Sequence, residues 1–161
     1  MMQGVDIFTI VHVIISLIGI LSGLVVLCGL FTANRMCGWT MLFLATTVAT
    51  SVTGFFFPFH GVTPAILLGI LSLIVLTPAI AGLYAFHLAG SWRWIYVVGS
   101  VVALYFNVFV LVVQAFLKVP ALHALAPKGS EPPFAIAQGI VLVLFILAGI
   151  KAVRRFHPVT S

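Results

Sequence analysis

The sequence predicts an all-α integral membrane protein, a single bundle of five transmembrane helices with its N-terminus outside and its C-terminus in the cytoplasm. Three observations predict it. Of the 161 residues, 63% are hydrophobic and 6% charged, where an ordinary soluble domain has about 45–50% and about 25%. Mean hydropathy is +1.35, and a soluble chain of ~150 residues buries only about 70% of the surface it exposes when unfolded. The apolar residues also fall in runs of about 20, enough to cross a hydrocarbon core of ~30 Å. A soluble enzyme, a nucleic-acid-binding domain and a disordered chain are therefore excluded.

The five spans follow in order. The first runs over 7–31; it has no Lys or Arg before it and is too long for a signal-peptide core. The second, 39–59, is rich in Thr and Phe. The third, 65–88, contains Pro78, which removes one backbone donor and predicts a kink. The fourth, 92–117, follows the short link Ala89-Gly90-Ser91, so the third and fourth must form an antiparallel hairpin. The fifth is 134–153. Loop 118–133 is the longest connection, with Pro120, Pro127, Pro132 and Pro133 and room for a short interfacial helix over Ala121–Ala126. No span holds an Asp or Glu.

Orientation comes from the seven Lys and Arg. Lys118 and Lys128 fall on one side; Arg35, Arg93, Lys151, Arg154 and Arg155 fall on the other. The positive-inside rule puts the second set in the cytoplasm. Trp39, Trp92, Trp94 and Tyr96 then form an aromatic belt at that interface. A net charge of +5 reflects this topology rather than nucleic acid, because no basic face exists. Cys28 and Cys37 have no metal or redox spacing and lie near the reducing side.

Polar residues at membrane depth carry the functional information. On the first span His12, Ser16, Gly19 and Gly23 share one helical face, and Gly19–Gly23 is a GxxxG that admits a close helix. On the fourth, Tyr96, Ser100, Ala103, Asn107 and Gln114 form a stripe. Thr46, Thr50 and Thr53 share a face of the second span, and Gln138 lies one turn into the fifth. Helix packing explains each of these separately. Together, His12, Thr53, Gln114 and Gln138 sit within about two turns of the outer surface, with Asn107 nearer the middle. His60, His123, Asp6 and Glu131 lie above them. The expectation is an outward-opening pocket with His12, Thr53, Asn107, Gln114 and Gln138 as ligand-binding residues.

Catalytic chemistry finds no support. There is no GxSxG, HExxH or phosphate loop. A bis-His haem needs two imidazoles at one depth, but His12 and His87 lie near opposite surfaces. No metal site and no cofactor are expected. Proton-coupled transport lacks a membrane-depth acid.

Several stretches carry a resemblance: Gly38-Trp39-Thr40; Thr50-Ser51-Val52-Thr53-Gly54-Phe55; Tyr84-Ala85-Phe86-His87-Leu88-Ala89-Gly90 with Trp92-Arg93-Trp94-Ile95-Tyr96; and Ala115-Phe116-Leu117-Lys118-Val119-Pro120-Ala121-Leu122. They resemble a family of small uncharacterised multi-span inner-membrane proteins of proteobacteria. The resemblance implies a multi-pass protein of the bacterial cytoplasmic membrane, and no activity.

Three readings follow. The first is a non-catalytic binding, accessory or assembly subunit, whose partners are the lipid bilayer and a second copy or a larger complex, with the Gly19/Gly23 face as one seam. The second is a quinone- or haem-type cofactor module, with His12, Gln114 and Gln138 on the headgroup and Tyr105 and Phe55–Phe57 as walls. The third is a small-solute channel or carrier lined by Asn107 and the Thr stripe.

Overall fold

The computed structural model describes residues 2–56, 61, 64–129 and 131–157. Their regular structure is entirely helical: α1 (Met2–Phe31), α2 (Cys37–Gly54), α3 (Pro64–Ile80) continued by a π-helical turn over Ala81–Ala85, α4 (Trp92–Lys118), α5 (Pro120–Leu125) and α6 (Pro132–Arg155). Among the described residues four helices are long and apolar enough to cross a membrane, over Ile7–Phe31, Ile66–Ala85, Trp92–Lys118 and Pro132–Arg155. Helix α2 is not one of them. It has 18 residues, and Thr40, Thr46, Thr47, Thr50, Ser51 and Thr53 dilute its apolar character. Residues 57–59, the end of the second predicted span, lie outside the described residues.

The third span differs from expectation at its C-terminal end. Pro78 cannot donate to the carbonyl one turn back. Three residues later the ladder widens: the Phe86 amide donates to the Ala81 carbonyl at 3.0 Å, and the Leu88 amide to the Gly82 carbonyl at 2.8 Å. His87 (φ 50°) and Leu88 (φ 62°) then turn the chain left-handed, so the helix stops before residue 88. The expected hairpin with α4 forms around this turn. Gly82 makes it possible, because a Cβ there would stand 3.1 Å from the Trp92 carbonyl oxygen.

Helix α4 is the hub, packing against α1, α3 and α6 and touching α2 and α5. Its Tyr96, Val97, Ala103 and Leu104 are buried against Val26 and Leu30 of α1, Phe43 and Leu44 of α2, and Leu76 and Ala79 of α3. Two glycines set the approach of the helices. A Cβ on Gly99 would lie 2.8 Å from the Val75 carbonyl oxygen of α3, and one on Gly23 would lie 2.6 Å from Leu104 Cδ1 and 2.9 Å from the Phe43 ring. The GxxxG face of α1 is thus occupied within the chain, by α2 and α4.

The bundle ends are distinct. Lys151 Nζ stands 4.6 Å over the Phe31 ring. Arg93 Nη1 donates to the Val153 and Phe156 carbonyls, both at 2.9 Å, which gives the last carbonyls of α6 the partner that a helix end lacks. These contacts bring the C-termini of α1 and α6 and the start of α4 to one end. Lys118 and α5 lie at the other.

The outer surface is apolar. Ile7, Ile10, Ile14, Leu17 and Leu21 of α1 and Ile140, Val143, Leu144 and Leu147 of α6 are exposed. Each such side chain left in water would forgo about 1.5–3 kcal/mol of burial. Of the apolar stretch of α6 only 6% is buried, against 39% for α4. A hydrocarbon solvent resolves this, since lipid covers these faces without penalty.

Candidate functional site

A cavity of about 450 Å³ lies between α1, α2, α3 and α4, within the ~300–1,000 Å³ range of small-ligand sites. Leu17, Ile20, Phe55, Leu68, Phe106 and Val110 give it apolar walls. Along α1 it runs from Thr9 to Ile20, about 16 Å at the helical rise. Since α4 is antiparallel to α1, Thr9 and His12 share an end with Gln114 and Lys118, and Asn107 lies deeper, level with Gly19.

His12 is tied to α2 through Thr53. Its Nδ1 is 2.7 Å from Thr53 Oγ1, and Thr53 Oγ1 donates to the Ala49 carbonyl at 2.7 Å. A hydroxyl has one proton. With that proton on the Ala49 carbonyl, Thr53 accepts from His12 Nδ1–H, a proton position assigned from this hydrogen bond. Thr53 therefore positions the ring rather than lining the cavity. Gly54 borders the same ring, where a Cβ would stand 3.7 Å from His12 Cε1.

Asn107 donates from Nδ2 to Thr47 Oγ1 at 3.3 Å. Gly19 brings the α1 backbone up to this polar layer: a Cβ there would be 3.2 Å from Thr46 Oγ1 and 3.7 Å from Asn107 Nδ2. A methyl group would crowd the Thr46 hydroxyl and would touch the Asn107 amide at ordinary contact distance.

Of the five sequence-predicted residues, His12, Asn107 and Gln114 line this one cavity, and Thr53 orients His12. Gln138 does not join them. It is buried where α6 meets α4, with Nε2 donating to the Phe109 carbonyl at 3.2 Å and Oε1 buried without a partner. It meets α4 at the level of Phe109, on a side that does not line the cavity. Tyr105 also turns away, packing its ring 5.7 Å from that of Phe145. Phe55 lines the cavity and Phe56 is exposed. Phe57, His60 and the Asp6 side chain lie outside the described residues. His123 pairs its Nδ1 with the Phe116 carbonyl at 3.3 Å, and Glu131 accepts from the Lys128 amide at 3.0 Å. Among the described residues no group of three His, Cys, Asp or Glu could hold a metal ion.

Sequence reasoning did not assign the polar lining residues Thr9, Ser51, Ser72 and Lys118 to the site. Lys118 was within reach, because Asn107, Gln114 and Lys118 fall at i, i+7 and i+11 on one helical face. Ser72 offered no such signal, as the sole polar residue between Pro64 and Thr77. Compared with protein-family models, with curated proteins and with solved structures, the chain has no match.

Proposed function

We propose that this protein is a five-span integral protein of a bacterial cytoplasmic membrane, N-terminus out, serving as a binding or accessory subunit without chemistry of its own. It holds a small amphiphile in the α1–α4 cavity. The observation that carries the reading is the placement of His12, Gln114 and Lys118 at one end of a cavity whose walls are otherwise largely apolar. Such a site takes an apolar body and fixes a polar head by a few hydrogen bonds.

Helix α2 supports the fifth span despite its hydroxyls. Thr46, Thr50 and Thr53 donate to the Leu42, Thr46 and Ala49 carbonyls at 2.6–2.8 Å, which satisfies their protons inside the helix. Its 18 residues reach about 27 Å. Five basic residues at one bundle end against two at the other support N-out, by the positive-inside rule. The bacterial inner membrane follows from the family resemblance.

The quinone reading is a special case of this ligand class. His12 and Gln114 near a headgroup, with Phe55 and Phe106 beside it, favour a carbonyl-bearing ring, although Gln138 is not there to assist. The carrier reading is weaker, because the Thr stripe that would line a path turns its hydroxyls onto its own helix. Assembly with a second copy or a larger complex must use a face other than Gly19/Gly23.

The test is solvent extraction and mass spectrometry of protein purified in mild detergent, with an absorbance spectrum taken first. Wild type should carry a discrete amphiphile in near-stoichiometric amount, and His12→Ala and Asn107→Leu should lose most of it. Identical extracts from wild type and both variants would refute the proposal.

A further inference from the structure

Across α4 from the cavity, α4 and α6 leave a second concavity, a groove of about 430 Å³. Val98, Val101 and Tyr105 form one wall and Leu142, Phe145 and Ile146 much of the other. Its single charged lining residue is Arg154, at one end. From Leu142 to Arg154 the α6 backbone rises about 18 Å. Half of a ~30 Å hydrocarbon core is about 15 Å. The groove therefore has the length of one leaflet, with its cation at headgroup level.

Among the described residues no Asp or Glu stands at that end. Arg93, Lys151, Arg154 and Arg155 gather there, while the chain's two acidic residues, Asp6 in the first turns of α1 and Glu131 just before α6, belong to the opposite end. Arg93 is engaged by the carbonyls of Val153 and Phe156. Lys151 lies over Phe31 of α1. Arg154 is exposed and borders the groove.

We infer that the α4–α6 groove is a binding site for one anionic phospholipid, with an acyl chain along Val98–Tyr105 and its phosphate on Arg154. A basic residue closing an interhelical groove at the membrane surface is the arrangement that selects anionic headgroups. The site rests on the membrane reading but not on the amphiphile cavity, which lies on the other face of α4.

The experiment is native mass spectrometry of the full chain in mild detergent, offered equal amounts of palmitoyl-oleoyl phosphatidylglycerol and phosphatidylcholine. Wild type should retain phosphatidylglycerol in preference. Arg154→Gln, at an exposed position, should cut that preference about fivefold, the worth of one interfacial cation. Gly149→Leu should reduce retention of both lipids, because its Cβ would stand 3.6 Å from Val101 Cγ1 and the rest of the side chain would fill the groove. Lys128→Gln, outside the groove, and His12→Ala, in the cavity, should leave the preference unchanged. Equal retention of both lipids by wild type would overturn the inference, as would a preference that survives Arg154→Gln. A dimer that excludes both lipids would assign the groove to a second chain and overturn it as well.

Discussion

Adding one methyl group at Gly99 tests the seam between α3 and α4. The new carbon would lie 2.8 Å from the Val75 carbonyl oxygen and 2.8 Å from Ala79 Cβ. Ordinary contacts between carbons sit at about 3.5–4.0 Å, so α3 and α4 must part by roughly 0.7–1.2 Å there. A radial gap of that size forfeits a quarter to a half of the dispersion well of each contact along the seam. Overpacking of this kind costs about 1–3 kcal/mol. In water, glycine-to-alanine replacement would return about 0.8–1 kcal/mol of helix propensity. In a bilayer the separated helices keep their hydrogen bonds, so that gain cancels and the full cost remains. Gly139 is the control, since a Cβ there meets nothing within 4 Å. Gly23→Ala should also destabilise, against Leu104 and Phe43, but by less than Gly99→Ala, because side chains yield where a carbonyl cannot. Unfolding by SDS titration in mixed micelles, read by tryptophan fluorescence, gives the order. Gly99→Ala should reduce the folded-to-unfolded ratio by roughly five- to 150-fold, and Gly139→Ala should leave it unchanged. Equal stability of the two variants would refute the helix seam described above.

Three further outcomes are expected. Arg93→Gln should fray the end of α6, since it removes a cation from the Val153 and Phe156 carbonyls; the site is partly solvated, so the cost is about 1 kcal/mol, and faster amide exchange over residues 152–157 would display it. Gln138→Leu should be neutral or stabilising, because the amide leaves Oε1 buried without a partner and replacing a half-satisfied polar group by an apolar one removes a desolvation cost; a loss of bound amphiphile in this variant would place Gln138 in the ligand site after all. Cys37, exposed at the start of α2, should react with a membrane-impermeant maleimide only after the cytoplasmic side is opened. Cys28, exposed on α1 but within the lipid-facing span, should resist it, and labelling of intact cells at Cys37 would reverse the proposed orientation.

Much of this architecture was legible because the signals were local. The link Ala89-Gly90-Ser91 is too short for anything but a hairpin, and Pro120 marks the start of the short helix α5, since proline suits a first helical turn. Direction around the helix axis was not legible. On α4 the polar residues form a stripe, so Asn107 and Gln114 could be assigned to one face. On α6 the apolar residues run all round, and nothing in the sequence tells which way Gln138 points. Gly19 and Gly23 announced a close helix approach without saying whose helix would take it. Pro78 announced a lost hydrogen bond, but not that the ladder would widen over Ala81–Ala85 before the turn.

The sidedness of α4 has a physical meaning that a soluble helix would not share. In water a polar stripe on a helix faces solvent and needs no further explanation. In lipid the outer face is apolar, so any polar stripe must meet protein or line a cavity. Helix α4 divides its circumference accordingly. Tyr96, Val97, Ala103 and Leu104 are buried in the core, Asn107, Gln114 and Lys118 line the cavity, and Val98, Val101 and Tyr105 line the groove. The two concavities therefore use different faces of α4. Inserting one residue near the middle of α4 would turn the residues beyond it by about 100°. That would take Asn107, Gln114 and Lys118 off the cavity while leaving Val98 and Val101 on the groove. Bound amphiphile should vanish in such a variant while the phosphatidylglycerol preference persists. Loss of both together would show that the two sites depend on one packing unit, and that α4 does not separate them.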